Sequence, residues 1–357
     1  MSIKVAINGF GRIGRLVVRA MAEQGLLGKE FDLVAIATRD CDAAYEAYKF
    51  KYDSAQGRAP EQVSTRKSSP DKEKDDVLLI NDYAIPLIQR ASQPSALPWR
   101  ELGVDYVIES SGRFNNQEAA MGHVEAGAQK VILTAPGKGG VKTLLMGVNH
   151  ASYDPKEDHV ISNASCTTNC LAPLVYVMIK EGLGIEKGLM TTIHAYTATQ
   201  LTVDGTSLKN WRLGRAAAQN IIPTTTGAAK AVAEVIPEVK GIMTGMAFRV
   251  PTVTGSVVDL TVLTKKDSSI EEIDGLMRTA SETYLKGILQ YQTDPIVSSD
   301  IIGCDYSSVY DSQATLANNL PDEKRFFKII GWYDNEWAYS LRTVDMLRYM
   351  IEQDQKH

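Results

Sequence analysis

Short apolar runs alternate with amphipathic stretches through the first half of the chain. Ile3 to Ile7 and Asp32 to Ala37 have the pattern of buried strands, and the segment between them carries apolar residues at helical spacing. Asp105 to Phe114 and Lys130 to Pro136 repeat the strand pattern on either side of a helical stretch, Gln117 to Glu125. Strands that alternate with helices predict parallel pairing through helical crossovers. This half is therefore expected to be α/β, with a doubly wound parallel sheet.

The pattern changes after residue 165. Three segments rich in Thr, Val and Met show partial alternation, which is typical of a mainly antiparallel sheet packed on helices: Gly188 to His194, Gly245 to Val253 and Ser256 to Leu263. Helices are expected at Thr226 to Val235 and Ile270 to Leu285, and a strand at Phe326 to Tyr333 precedes a last helix. We expect a nucleotide-binding domain over 1–165, an α+β catalytic domain over 166–335 and a C-terminal helix over 336–357.

Composition restricts the classes of function. With 357 residues, 44% of them hydrophobic and 23% charged, the chain can bury two substantial cores. Its net charge of −5 gives no electrostatic reason to expect nucleic acid or an anionic membrane as the main partner. The four cysteines lack metal-site spacing, no apolar run reaches membrane-spanning length, and Gln355-Lys356-His357 is not a peroxisomal address. We expect a metal-free protein of a reducing compartment, the cytoplasm.

A glycine-rich turn joins the first strand to the first helix. Gly9, Gly11 and Gly14 form Gly-x-Gly-x-x-Gly in the strand-to-helix context that a dinucleotide fingerprint requires. The first glycine permits the tight turn, the second lets the backbone approach a pyrophosphate, and the third lets helix and strand pack. The motif alone could be only a turn, but its flanks favour nucleotide binding in a Rossmann-type sheet, with Arg12 and Ile13 beside the glycines.

The end of the second strand departs from the pattern expected for NAD. The fold commonly places an acid there to hold the adenosine ribose hydroxyls, but this chain has Thr38 followed by Arg39. Without a carboxylate, this strand end does not repel a ribose phosphate, and the neighbouring guanidinium attracts one. Use of NADP beside NAD is therefore one hypothesis. In the alternatives, Asp40 or Asp42 supplies the acid through a shifted loop, or the ribose contacts are simply weaker.

Cys166 stands where small polar residues give way to an apolar run. This change indicates a loop that feeds the first turn of a helix. A thiol at a helix N-terminus sees the positive end of the helix dipole, which favours the thiolate, so Cys166 is a candidate nucleophile. The alternative is that Ser165 or Thr167 is merely a cap and Cys166 a small buried hydrophobe.

Six segments carry a resemblance to a known family. In chain order they are 6–15 (AINGFGRIGR), 162–170 (SNASCTTNC), 190–195 (MTTIHA), 221–230 (IIPTTTGAAK), 245–251 (GMAFRVP) and 332–336 (WYDNE). Together they resemble the phosphorylating glyceraldehyde-3-phosphate dehydrogenases along nearly the whole chain. The resemblance implies that the protein converts glyceraldehyde 3-phosphate, inorganic phosphate and NAD into 1,3-bisphosphoglycerate and reduced cofactor. It also implies a homotetramer.

The resemblance also assigns roles to residues. Cys166 would attack the aldehyde, with His194 as its acid–base partner. The cofactor would be lined by Ser111, Phe114, Thr134, Asn335 and Tyr339 as well as by the turn and strand-end residues. The substrate phosphate would be bound by Thr197, Thr199 and Arg249, and inorganic phosphate by Ser165, Thr167, Thr226 and Gly227. Arg215, a further phosphate-site candidate, lies in a basic segment, 204–222, that forms an S-shaped loop against a neighbouring subunit in the family; a solvated loop is its alternative.

Two other functions remain open at this point. Erythrose-4-phosphate dehydrogenase shares the thiol and the nucleotide motif. A non-catalytic sensor or nucleic-acid-binding protein on a Rossmann fold is a different class, and the sequence pI near 5.7 and the pairing of Cys166 with His194 argue against it. The resemblance further implies that the last helix packs on the first domain.

Overall fold

The computed structural model of the protein describes residues 2–208, 210–320 and 322–356. The chain folds into two compact units. The first takes in the described residues of Met1–Leu144, Ser152–Ala164 and Ser340–His357, and the second those of Leu145–Ala151 and Ser165–Tyr339.

The elements of the first unit come mainly from the N-terminal half. Its strands are β1 (Ile3–Asn8), β2 (Phe31–Thr38), β3 (Tyr52–Asp53), β4 (Gly57–Arg58), β5 (Val63–Arg66), β6 (Val77–Ile80), β7 (Tyr83–Gln89), β8 (Tyr106–Glu109), β9 (Lys130–Leu133), β10 (Lys142–Thr143) and β11 (Val160–Ser162). Its α-helices are α1 (Arg12–Glu23), α2 (Ala43–Lys51), α3 (Trp99–Leu102) and α4 (Gln117–Glu125), and it has a 3₁₀ turn at Pro94–Ala96. A further 3₁₀ turn, His150–Ser152, lies where the chain passes from the second unit back to the first.

The second unit holds the remaining elements. Its helices are α5 (Cys166–Lys180), α6 (Ala228–Val235) and α7 (Ile270–Glu282), and α8 (Trp337–Asp354) begins in it. Its strands are β12 (Ile185–Ala195), β13 (Ile222–Thr225), β14 (Met243–Val250), β15 (Ser256–Thr264), β16 (Leu289–Gln292), β17 (Ser308–Asp311), β18 (Leu316–Ala317) and β19 (Phe326–Tyr333). Its 3₁₀ turns are Trp211–Gly214, Ala217–Gln219, Pro237–Val239 and Ser298–Ile301.

The sheet of the first unit is mostly parallel. Within the described residues it has nine strands in the order β10-β11-β9-β8-β1-β2-β7-β6-β5. The strands from β10 to β7 pair in parallel, whereas β5, β6 and β7 form antiparallel pairs at one edge. The strand order reverses at β1: β2 lies on one side of it and β8, the next parallel strand to be added there, lies on the other. The ends of β1, β2 and β8 therefore form the crevice where such sheets bind ligands. The predicted doubly wound Rossmann-type sheet is confirmed.

The sheet of the second unit is mainly antiparallel, as predicted. In the part of the chain that the structure describes, its main path is β13-β14-β12-β15-β19-β17-β16, and β18 pairs with β19. The pair β12 and β14 is parallel and places His194 directly beside Arg249. Alternating buried residues of β15 face helices, which explains the alternation in the sequence. None of the described helices is long and apolar enough to cross a membrane.

Candidate active site

The glycine-rich turn has the backbone that its sequence predicts. Gly9 has φ of 104°, and a Cβ built on it would lie 2.6 Å from the Ser111 backbone nitrogen. A Cβ at Gly14 would collide with the carbonyl oxygen of Gly9. Both positions therefore require glycine, the first for its left-handed backbone and the second because α1 packs directly on the turn.

Gly11 leaves room for an anion at the N-terminus of α1. It is the N-cap of α1 and offers no side-chain cap, and the first turn of the helix carries no acidic residue. A Cβ at Gly11 would point into open space, so no side chain at this position obstructs the approach to the helix N-terminus. The residues present thus fit the pyrophosphate of a dinucleotide.

Several predicted cofactor residues surround this turn in the first unit. Arg12, the first residue of α1, forms an ion pair with Asp53 at 2.9 Å. This guanidinium and two backbone N–H groups outweigh burial and lower the pKa of Asp53 to about 2. Ile13 is partly buried in the same helical turn, and Phe114 is buried with the Arg113 guanidinium 5.3 Å from its ring.

Glu109 organises the end of β8, a role that sequence analysis missed. Its carboxylate accepts hydrogen bonds from the Ser111 backbone N–H at 2.8 Å and from Asn8 Nδ2 at 2.6 Å, and it lies 2.9 Å from His123 Nε2. The Thr134 backbone N–H donates to the Glu109 carbonyl at 3.0 Å. At this strand end Ser111 is thus held by the buried Glu109 carboxylate, and Thr134 is held by the main-chain carbonyl of the same residue.

The end of β2 contacts an acid, Glu46 of α2, that sequence analysis did not assign. Thr38 is buried, and its Oγ1 donates to Glu46 Oε1 at 2.9 Å. Lys49 Nζ lies 2.7 Å from the other carboxylate oxygen. Arg39, the next residue after Thr38, is exposed, and its carbonyl accepts from Gln89 Nε2. The strand end therefore combines a carboxylate behind the threonine with an exposed guanidinium.

Cys166 is the first residue of α5, as predicted. Ser165 is the N-cap, and its Oγ accepts a hydrogen bond from the Thr168 backbone N–H at 3.1 Å. The residue before the cap, Ala164, has φ of 55°, a left-handed backbone that costs a non-glycine residue about 1–2 kcal/mol. The cap and this turn fix the position of Cys166 at the start of α5.

The structure brings Cys166 and His194 together. Cys166 Sγ lies 3.4 Å from His194 Nε2, although 28 residues separate them in the chain. His194 Nδ1 lies 2.6 Å from the Ala195 carbonyl oxygen and also 2.6 Å from Arg249 Nη1. One nitrogen cannot donate to the carbonyl and accept from the guanidinium at once. In the tautomer suited to catalysis, Nδ1–H donates to Ala195, which leaves Nε2 free to accept the thiol proton.

The electrostatics of this pair differ from the expectation of a ready-made thiolate. Burial raises the pKa of the Cys166 thiol, and the positive charge of Arg249 offsets this only in part. Burial, together with Arg249, lowers the pKa of His194 to about 3. The thiolate expected for Cys166 from its position at a helix N-terminus is not favoured in this structure, because desolvation outweighs that position. The pair is a neutral thiol beside a neutral imidazole.

Tyr333 also supports the site, although sequence analysis quoted it only as part of a motif and gave it no role. Its buried hydroxyl lies 2.9 Å from Thr167 Oγ1 and 2.8 Å from Thr192 Oγ1, so it joins β19 to the start of α5 and to β12. Its ring meets the His194 ring edge-on, with centroids 5.8 Å apart. Tyr333 therefore supports both the helix start and the histidine. Only the three-dimensional pairing of β19 and β12 with β15 reveals this role.

Two groups of hydroxyl and backbone donors lie among the predicted phosphate residues. Thr197 and Thr199 have their hydroxyl oxygens 2.9 Å apart, and Thr197 also donates to Gln200. Gly227 is the exposed N-cap of α6 and lacks a side-chain cap, while Thr226 Oγ1 accepts from the Ala228 backbone N–H. Each group presents donors suited to an anion.

Arg249 and Arg215 differ in their surroundings. Arg249 Nε is buried and has no hydrogen-bond partner among the described residues, while its Nη1 contacts His194 and the Ala195 carbonyl. Arg215 instead forms an exposed ion pair with Asp204 at 3.0 Å. A buried Nε without a partner on a partly buried guanidinium favours an anionic or polar ligand, so Arg249 is the stronger phosphate candidate.

Asn335 and Tyr339 belong to the second unit. Asn335 Oδ1 accepts a hydrogen bond from Ser256 Oγ at 2.7 Å, so the NH₂ is the part of this amide that can donate to a ligand. Burial and the nearby Cys166 raise the pKa of Tyr339 well above its usual value. Among the described residues, no group of three or more histidine, cysteine or acidic side chains could hold a metal ion.

Comparison with known proteins gives a consistent result. Residues 3–117 match the family model of the glyceraldehyde 3-phosphate dehydrogenase NAD binding domain, and residues 165–335 match that of the C-terminal domain of the same enzyme. A glycosomal glyceraldehyde-3-phosphate dehydrogenase of Crithidia fasciculata is 58% identical over 352 residues, covering 99% of this chain and 98% of the relative. The enzyme of Treponema pallidum is 57% identical over 356 residues, covering 98% and 99%. Glyceraldehyde-3-phosphate dehydrogenase 1 of Nostoc sp. is 51% identical over 355 residues, covering 99% and 98%.

Proposed function

Because this chain belongs to the glyceraldehyde-3-phosphate dehydrogenase family, we propose that it converts D-glyceraldehyde 3-phosphate and inorganic phosphate into 1,3-bisphosphoglycerate with NAD as the oxidant. The observation that carries the proposal is the contact between Cys166 Sγ and His194 Nε2 at 3.4 Å, with Arg249 beside the histidine. A nucleophile, a base and an anion-binding cation in one place are what this reaction needs.

The geometry supports a sequence of proton transfers through His194. As the Cys166 sulfur attacks the aldehyde carbon, its proton passes to Nε2 and from there to the developing alkoxide oxygen. The product is a neutral thiohemiacetal on Cys166, and Nε2 is free again. His194 then accepts the proton of the thiohemiacetal hydroxyl while the carbon–hydrogen bond breaks. Bound NAD supplies the hydride acceptor for this step. General base catalysis of this kind contributes about 10²- to 10⁴-fold to the rate.

The thioester left on Cys166 explains the need for phosphate. Attack by inorganic phosphate on the acyl carbon breaks the carbon–sulfur bond and releases the acyl phosphate. The Cys166 thiolate that leaves takes up the proton held on His194 Nε2, which restores the starting pair. We assign the substrate phosphate to Thr197, Thr199 and Arg249, supported by the paired hydroxyls and the unsatisfied Nε. We assign the incoming phosphate to Ser165, Thr167, Thr226 and Gly227, supported by the uncapped N-terminus of α6. Arg215 stays a weaker candidate because its partner is Asp204.

For the cofactor, we propose that the Gly9–Gly14 turn binds the pyrophosphate, with Arg12 and Ile13 in the same turn. Thr38 and Arg39 would meet the adenosine ribose, and Ser111, Phe114 and Thr134 would line the cleft. Asn335 would donate its amide NH₂ to the nicotinamide carboxamide, and Tyr339 would lie close to the ring. NADP use stays a separate hypothesis that rests on Arg39.

We also propose that the chain acts as a homotetramer. Exposed large apolar side chains on the second unit support association of copies: Leu189, Val203, Leu208, Trp211, Ile221 and Met246. Two of them, Trp211 and Met246, line one cavity of about 560 Å³. The family resemblance supports four copies, so light scattering should give about four times the 39.1 kDa of one chain. A monomer mass at micromolar concentration would contradict the proposal.

Two further assignments are proposals. The nucleotide-binding domain would span 1–165, the catalytic domain 166–335 and the C-terminal helix 336–357. The two compact units support most of this division, although Leu145–Ala151 groups with the second unit. A cytoplasmic location is supported by four free cysteines, which suit a reducing compartment. One relative is named as glycosomal, so fractionation of the source cells is the direct test.

The decisive experiment follows the absorbance of reduced nicotinamide with glyceraldehyde 3-phosphate and NAD, with and without phosphate. Sustained turnover should require phosphate. Without it, one burst of at most one equivalent per chain is expected, because the thioester accumulates. Cys166→Ser should abolish both phases, whereas Cys304→Ser, a partly buried thiol outside the site, should leave them unchanged. Phosphate-independent turnover, or faster turnover of erythrose 4-phosphate, would contradict the proposal.

A further inference from the structure

Two buried side chains at the end of β2 bear on how the protein distinguishes its cofactors. Thr38 is 4% exposed and Glu46, in the first turn of α2, is 2% exposed. Thr38 Oγ1 donates to Glu46 Oε1 across 2.9 Å. Since both groups are shielded from water, no solvent molecule competes for the hydroxyl proton. The direction of this hydrogen bond is therefore fixed by the carboxylate, which can only accept.

A hydroxyl has one proton to donate, so with that proton held by Glu46 the Thr38 oxygen meets any third group only as an acceptor. In this fold the adenosine ribose lies at the end of the second strand. We propose that Glu46 is a specificity-determining residue for the cofactor: by holding Thr38 as an acceptor, it favours a ribose 2′-hydroxyl, which can donate, over a 2′-phosphate, which cannot. The inference rests on the proposed function, in which the chain uses NAD.

The neighbouring charges do not provide this discrimination by themselves. Lys49 Nζ lies 2.7 Å from Glu46 Oε2 and offsets its charge, and the exposed Arg39 would attract a phosphate. Asp42, one of the acids considered from the sequence, is committed elsewhere. Its Oδ1 accepts from the Tyr45 backbone N–H at 3.1 Å as the N-cap of α2, and its Oδ2 accepts from Lys74 Nζ. Hydrogen-bond direction at Thr38 is thus the feature that opposes Arg39.

The inference is tested by titrating the full-length protein with NADH and NADPH and following nicotinamide fluorescence. The wild type should bind NADH more tightly. Glu46→Gln keeps the shape of the side chain but can donate its amide hydrogen to Thr38, which frees the hydroxyl proton for a phosphate oxygen. The ratio of the two affinities should then shift toward NADPH by about tenfold, the loss expected for one hydrogen bond to a charged group.

Two threonine variants make the test independent of how Glu46→Gln folds. Thr38→Ser keeps the hydroxyl and should preserve the wild-type ratio, whereas Thr38→Val removes it and should lose the preference for NADH. The matched control is Glu118→Gln, which removes an exposed acid from the first turn of α4. A wild type that prefers NADPH, or a Glu46→Gln ratio within about twofold of wild type when NADH still binds, would overturn the inference.

Failure of the proposed function gives a different result. If the wild type prefers NADH and Glu46→Gln shifts the ratio toward NADPH, but turnover does not depend on phosphate, the proposed reaction is contradicted while the role of Glu46 is supported. If turnover is phosphate-dependent and the Glu46→Gln and Thr38→Val ratios equal that of the wild type, the reaction stands and the role of Glu46 is lost.

Discussion

Replacing His194 should make the protein less sensitive to acid. The pKa of His194 is lowered from 6.5 to about 3 in the folded state by burial and by Arg249. Between these two pKa values the unfolded chain binds a proton at His194 and the folded chain does not. The free energy of unfolding therefore falls as the pH drops from about 6.5 toward 3. Integrating this linkage between pH 7 and pH 5 gives a loss of about 2 kcal/mol from this one histidine.

The variant His194→Asn cannot take up that proton, so its unfolding free energy should fall by about 2 kcal/mol less than that of the wild type over the same pH interval. Urea unfolding at pH 7 and pH 5, followed by tryptophan fluorescence, measures the difference. His159→Asn, which removes an exposed histidine, is the matched control. Equal pH dependence in the wild type and His194→Asn would refute the neutral imidazole. Because the comparison uses differences between pH values, a uniform loss of stability in the variant does not affect it.

Three further outcomes are expected. Labelling of Cys166 by iodoacetamide should accelerate as the pH rises into the alkaline range, because burial raises the pKa of its thiol; a rate already maximal at neutral pH, measured by peptide mass spectrometry, would contradict this. Tyr333→Phe should lower the free energy of unfolding in urea by about 1–3 kcal/mol, because Thr167 loses a buried partner. Asp53→Asn should cost about 1 kcal/mol at pH 7 once screening of the partly exposed Arg12 is allowed for. Since the pKa of Asp53 is lowered to about 2, this cost should shrink as the pH approaches 2, and an unchanged cost measured at pH 3 would count against the ion pair.

The local parts of the fold could be predicted from the sequence because their signals lie within a few residues. The strand Phe326–Tyr333 and the helix Gln117–Glu125 have the predicted bounds, and α5 begins at Cys166 because Ser165 is a suitable cap ahead of an apolar run. The strand expected over 105–114 is shorter, Tyr106–Glu109. After Glu109 the backbone N–H of Ser111 turns back to the Glu109 carboxylate instead of a neighbouring strand, which ends the pairing.

The protonation state and the supporting residues could not be predicted in this way. The contact of Arg249 with His194 depends on the parallel register of β12 with β14, which no local pattern specifies. The raised pKa of the Cys166 thiol depends on burial by residues distant in sequence, and it reverses what the helix N-terminus alone would suggest. Glu46 was overlooked because it follows the strand end by eight residues and meets Thr38 only through the fold of α2.

The left-handed backbone at Ala164 restricts which sequences can carry this nucleophile. The residue has φ of 55° and its side chain is fully buried, so a substitute must tolerate the backbone and also fit a space of methyl size. β-Branched residues meet neither condition, and asparagine meets only the first. Only glycine satisfies both without strain, at the cost of a more flexible unfolded chain. A library randomised at this codon and sorted for folded protein alone would therefore return alanine and glycine, although no selection for catalysis had been applied.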